Sequence, residues 1–197
     1  MIPVLSFPPP LDFDNRVRSK GLLFLTQTPN PNTKQFTKHC YWQEILPEMR
    51  ENYRSICNYS ATWIPHSTGQ HSIDHFKDKH TYPEEAYNWD NFRYVSGRFN
   101  IRKGTKIILD PFLLPKETFF IDFRNFHIII NPDLQDQNTI DLARDTIKFL
   151  KFNSDPLLIE ERSSYFFDYK EQFISFDYLE RVSPFIAYEI NRQGLKV

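Results

Sequence analysis

Asp74 and His75 stand side by side in SIDHF, with Asn91 and Asn100 further along a stretch that closes on Lys103. An imidazole can take a proton from water near neutral pH, while a carboxylate and an amide oxygen are hard donors for a divalent cation. A nearby ammonium or guanidinium can meet an anionic oxygen. Together these are the groups that metal-assisted hydrolysis of a phosphodiester needs. Each residue taken singly has a plainer reading: a turn Asp closing a strand beside an ordinary His, and Asn91 as a helix cap or turn residue. The combination at these spacings favours a site.

The surrounding elements must hold these groups in place. Pro8, Pro9, Pro10, Pro29 and Pro31 predict an extended, Pro-rich N-terminal arm over 1–40, because proline at that density disfavours long helices. Ile45, Met49 and Tyr53 at fourfold spacing predict a helix over 41–56, with Pro47 in its first turn or breaking it. Residues 57–76 read as a hairpin, one strand through Tyr59, Ala61 and Trp63 and another through Ile73 to Phe76. Phe92, Val95 and Phe99 predict a short helix over 90–100, with Asp90 as its N-cap. Three β segments follow, at 107–109, 119–123 and 126–130, the last two joined by a turn at Arg124 and Asn125. The rest is helical: 136–150, 157–169 and 178–192, the last interrupted near Pro184.

Composition bounds the partners. Of 197 residues, 24 are Lys or Arg and 25 Asp or Glu, giving a net charge of -1, so any contact with a polyanion must come from a local patch. Such a patch runs from Arg93 to Lys106, with Arg93, Arg98, Arg102, Lys103 and Lys106 and no acidic residue; a solvated helix face is its plainer reading. Cys40 and Cys57 are too few for a disulfide framework, which predicts a reducing, cytoplasmic setting, and no apolar run suggests a membrane partner. Nineteen Phe and ten Tyr predict a ring-rich core. His66, His71, His75 and His80 invite a zinc reading, but His71 and His75, four apart in a strand, lie about 13 Å from one another.

The segments SIDHF, KDKHTYP, YNWDNFR and NIRKG, spanning Ser72 to Gly104, resemble the HNH, or ββα-metal, endonucleases. Weaker likeness to bacterial members touches PPPLDFD, LDPF and SPFIAYEINRQGL. A length of 197 residues suits one domain, and the resemblance implies an α+β fold for it. A helix and ββα-metal core would occupy 41–106, a small β region 107–135 and a C-terminal helical extension 136–197. It implies His75 as general base, Asn91 as the residue that shapes the loop and orients the base, and Asp74 and Asn100 as ligands of one Mg²⁺ or Mn²⁺. Lys79, Arg98, Arg102 and Lys103 would contact phosphates. DNA would be the substrate, with a protein partner such as an ATPase subunit in an anti-phage defence system. A non-catalytic binding module and an RNA-cleaving toxin are the alternatives. Many such proteins brace the motif with four zinc-binding cysteines; the corresponding positions here are Cys57, Ser60, Ser96 and Phe99, so no structural zinc is expected and packed rings would take its place.

Overall fold

A computed structural model describes all of residues 1–197 as an α+β protein with eight α-helices and two small antiparallel two-stranded sheets. The chain divides into two compact units, each assembled from discontinuous stretches: residues 6–55 with 64–105, and residues 1–5 with 56–63 and 106–197. No helix is long and apolar enough to cross a membrane.

The first of these units begins with helices where an extended arm is expected. A π-helical turn, Asp14–Arg18, runs into α1 (Ser19–Gln27), and α2 (Thr33–Lys38) follows. The prolines sit in two clusters, and the interval between Pro10 and Pro29 is free to coil. Asn32 starts α2 with a capping box, accepting from Gln35 N at 3.0 Å while Gln35 Oε1 accepts from Asn32 N at 2.8 Å. A 3₁₀ turn, Tyr41–Ile45, leads into α3 (Leu46–Asn52), with Pro47 in its first turn, where a missing N–H costs nothing.

The central hairpin differs from the expected one. Strand β1 (His71–His75) pairs antiparallel with β2 (Phe92–Ser96), placing Asp74 opposite Arg93 and His75 opposite Phe92. Residues 92–96, expected as helix, are strand because FRYVS buries four consecutive residues, Phe92 to Val95, on both faces of the hairpin. Helical geometry begins only after Ser96, which is extended, and α4 covers Gly97–Lys103. The stretch 57–62 is instead a turn closed by the bridge Ile56↔Trp63 and a 3.0 Å bond from Cys57 N to Thr62 O. Asp90 is no N-cap; it lies inside a 3₁₀ turn, Trp89–Asn91, whose cap is the side chain of Asn88. Rings fill this core largely edge to face, as in Phe13–Trp89 (5.5 Å) and Phe24–Phe36 (6.2 Å).

The other unit holds β3 (Phe119–Asp122) and β4 (His127–Ile130), a hairpin close to the expected one. Residues 107–109 form no strand; Leu109 N donates instead to Thr146 Oγ1 at 2.9 Å. Four helices follow: α5 (Gln137–Phe149), α6 (Pro156–Lys170), α7 (Phe176–Val182) and α8 (Pro184–Arg192). Asp136, Asp155 and Ser175 cap the first three through their side chains. The carboxylate of Glu189, fully buried, accepts from Ile121 N at 2.7 Å and from Arg192 Nε and Nη2, each at 2.8 Å, which ties α8 to β3.

Gly21 explains why α1 can lie against the loop before β2. A Cβ placed there would stand 2.0 to 2.4 Å from three ring atoms of the buried Tyr87. Gly21→Ala is expected to destabilise the protein by about 1–3 kcal/mol through overpacking, despite alanine's better helix propensity, as read by chemical denaturation.

Candidate functional site

Asp74 and His75 end β1, and α4 starts one residue after β2, so the hairpin register brings the helix back across the end of β1. A cavity of about 280 Å³ opens there, with Ser72, Asp74, His75, Asp78, Lys79 and Asn100 among its walls. Three of the four residues singled out for catalysis and metal binding thus meet at one place.

His75 is held from three sides. Its Nε2 lies 2.9 Å from Ala86 O, and a carbonyl can only accept, so the proton sits on Nε2 and Nδ1 is left as the lone-pair nitrogen. The indole of Trp42 meets the ring edge-on at 4.5 Å and the Phe92 ring at 5.3 Å. Burial, with the charges of Lys79 and Lys103 and against the pull of the Ala86 carbonyl, lowers the pKa of His75 to about 3. The imidazole is therefore neutral at physiological pH.

Asn91 is the fourth residue, and it works from behind. Its Oδ1 accepts from Lys77 N at 2.7 Å, and its Nδ2 donates to Lys77 O and Glu85 O, both at 3.0 Å. Phe76 N also donates to Asn91 O at 2.8 Å. One amide side chain thereby pins both ends of the loop 76–91, next to the Ala86 carbonyl that fixes His75.

Asn100 donates through Nδ2 to Ser72 Oγ at 2.7 Å and to Ile73 O at 3.2 Å. Anchoring Nδ2 on β1 sets the amide plane and makes Oδ1 the atom suited to a cation. Asp74 is 2% exposed, and its Oδ2 lies 3.0 Å from Lys103 Nζ. The ammonium also donates to His75 O at 2.7 Å and to Gly104 O at 3.3 Å.

This placement corrects the reading of Lys103 as an outward phosphate contact. At 1% exposure it is a structural cation beneath the site, turned inward because the i,i+3 spacing from Asn100 puts both on the face of α4 that meets β1. Arg98 and Arg102, four residues apart, share a different face of α4, and neither lines the cavity; Arg102 lies 5.7 Å over the Phe99 ring. Of the four expected phosphate contacts, Lys79 alone is a cavity wall. Its Nζ stands 5.6 Å from the Trp42 ring centroid, and burial lowers its pKa against the raising effect of Asp78 and Asp74.

Ser72, Asp78, Trp42 and the Ala86 carbonyl also belong to the site, although their residue types and spacing do not single them out. Ser72 was accessible in principle, since it alternates with Asp74 onto one side of a strand. Trp42 and Ala86 carry no sequence signal, because they reach the site by packing. Asp78 accepts from Thr81 N and Oγ1, both at 3.0 Å, and reads from sequence as an ordinary turn residue. No three His, Cys, Asp or Glu side chains converge into a metal-binding group.

Two outcomes follow for the chain without added metal. The unfolded chain protonates His75 near 6.5 and the folded one near 3, so the unfolded state binds more protons between these values. The stability due to a neutral His75 is complete above about pH 6.5 and declines as the pH falls towards 3, by a few kcal/mol in all. Urea denaturation across this range should show a shallower acid loss in His75→Gln than in the wild type. Asn91→Ala, which strips three hydrogen bonds, should cost about 2–4 kcal/mol and speed hydrogen exchange selectively in the loop 76–91. No protein-family model and no curated protein matches this chain.

Proposed function

We propose that this chain is a metal-dependent endonuclease of the HNH, or ββα-metal, type, hydrolysing phosphodiester bonds of DNA with His75 as general base and one Mg²⁺ or Mn²⁺. The observation that carries the reading is the convergence of Asp74, His75 and Asn100 on one cavity at a hairpin–helix junction, with Asn91 bracing the loop behind the base.

The donor chemistry suits such an ion. Asp74 and Asn100 offer hard oxygens, and a cation that keeps most of its waters needs few protein ligands. A cation held there supplies stabilisation of the negative charge that develops on the phosphate and on the departing 3′ oxygen. His75, whose basicity burial holds low in the free chain and the negative charge of a bound phosphate would raise, takes the proton of the attacking water at Nδ1, while the bond from Nε2 to Ala86 O keeps the tautomer and ring plane fixed. Trp42 and Phe92 hold that ring from its sides. Lys79 is the wall residue placed to meet a phosphate oxygen. Attack on phosphorus in line with the 3′ oxygen leaves 5′-phosphate and 3′-hydroxyl ends. With a net charge of -1, general attraction to DNA is weak, so targeting is assigned to a protein partner, such as the ATPase subunit of an anti-phage system.

A binding module without cleavage is the second reading. It is favoured by the engagement of Asp74 with an internal ammonium and by the absence of Arg98 and Arg102 from the cavity. A plasmid assay with Mg²⁺ or Mn²⁺ separates the two. Cutting should require the metal, and His75→Ala and Asn100→Ala should each lower it at least ~100-fold. Cutting that survives His75→Ala would remove the assigned base, and retarded but intact plasmid under every condition would favour the module. Greater activity on a parallel RNA substrate would reassign the substrate.

A further inference from the structure

The ion pair under the cavity is more specific than a structural staple requires. Lys103 directs its ammonium to three oxygens, Asp74 Oδ2 at 3.0 Å, His75 O at 2.7 Å and Gly104 O at 3.3 Å, which matches its three N–H donors. Both side chains are nearly removed from water, 1% exposed for Lys103 and 3% for Asp74. The carboxylate it engages is the one charged oxygen donor assigned to the ion, and the helix that carries Lys103 also carries Asn100.

We infer that Lys103 is a resident counter-cation of Asp74, which keeps the site folded without metal and sets how tightly the cavity takes a divalent ion; this inference rests on the reading of that cavity as a metal site. A buried carboxylate left without a positive partner is strongly destabilising, so the ammonium does in the empty site what the metal does in the filled one. A divalent ion arriving at Asp74 then meets a fixed positive charge a few ångströms away, in surroundings that screen poorly. Affinity is held down as a result, and folding is freed from dependence on metal.

The test replaces the ammonium by an apolar group of similar length. Lys103→Met should bind Mn²⁺ about tenfold or more tightly than the wild type by titration calorimetry. Its melting temperature should rise with Mn²⁺ far more than that of the wild type, because the ion now supplies the charge that the lysine supplied. If the variant does not fold in metal-free buffer, Mn²⁺ should restore its fold. The double variant Asp74→Asn with Lys103→Met, which removes both charges, should fold without metal and show no Mn²⁺-dependent shift. Equal or weaker Mn²⁺ affinity in Lys103→Met overturns the inference, as does failure of Mn²⁺ to rescue its folding. Metal-dependent plasmid cutting by the wild type alongside either result leaves the nuclease reading standing. Absence of both Mn²⁺ binding and cutting in the wild type and in the single variant removes that reading and the inference with it.

Discussion

The carboxylate of Asp74 and the ammonium of Lys103 meet at 3.0 Å with both side chains almost wholly out of water. Taking two charges out of solvent is costly, and only close geometry with further hydrogen bonds offsets it. Lys103 meets that condition by also donating to the backbone of His75 and Gly104. The pair therefore constrains the end of β1, the first residue past α4 and the angle at which the helix returns across the hairpin. Asn100, one turn earlier on the same helix, adds neutral bonds to Ser72 and Ile73. Together they make the junction of strand and helix rigid where the cavity opens.

Around that junction the protein uses two means of fixing polar groups. One is the single amide of Asn91, which closes the loop 76–91 through three hydrogen bonds and so places the Ala86 carbonyl. The other is a frame of rings: Trp42 and Phe92 leave the His75 imidazole one orientation, and Lys79 lies over Phe36 and Trp42. Rings bury large areas without needing polar partners, which lets a charged cluster sit among them at low conformational freedom.

How much of this was legible in the sequence depends on the range of the interaction. Asp74, His75, Asn91 and Asn100 were legible through their spacing, which resembles a known motif over Ser72 to Gly104, since each of them taken singly has a plainer reading. The pairing of β1 with 92–96 was not, because Phe92, Val95 and Phe99 at helical spacing also fit a strand that turns into a helix at Ser96. Helices in the first forty residues were hidden because a high proline density over a segment does not restrict the proline-free stretches between and after the clusters, Asp14–Gln27 and Thr33–Lys38. Lys103 was misread because a lysine in a basic run carries no sign of the carboxylate it faces.

Sequence by itself determined what is local: the helical stretches near 136–150 and 157–169, the break before Pro184, the turn at Arg124 and Asn125, and the set of residues able to do acid–base and cation chemistry. These follow from backbone restrictions and side-chain bonds spanning a few residues. Tertiary structure alone decided which strands pair, which ring nitrogen of His75 carries the proton, and whether a basic residue faces water or a buried acid. Each of those depends on desolvation and on partners far away in the chain, and neither quantity is defined until the chain has folded.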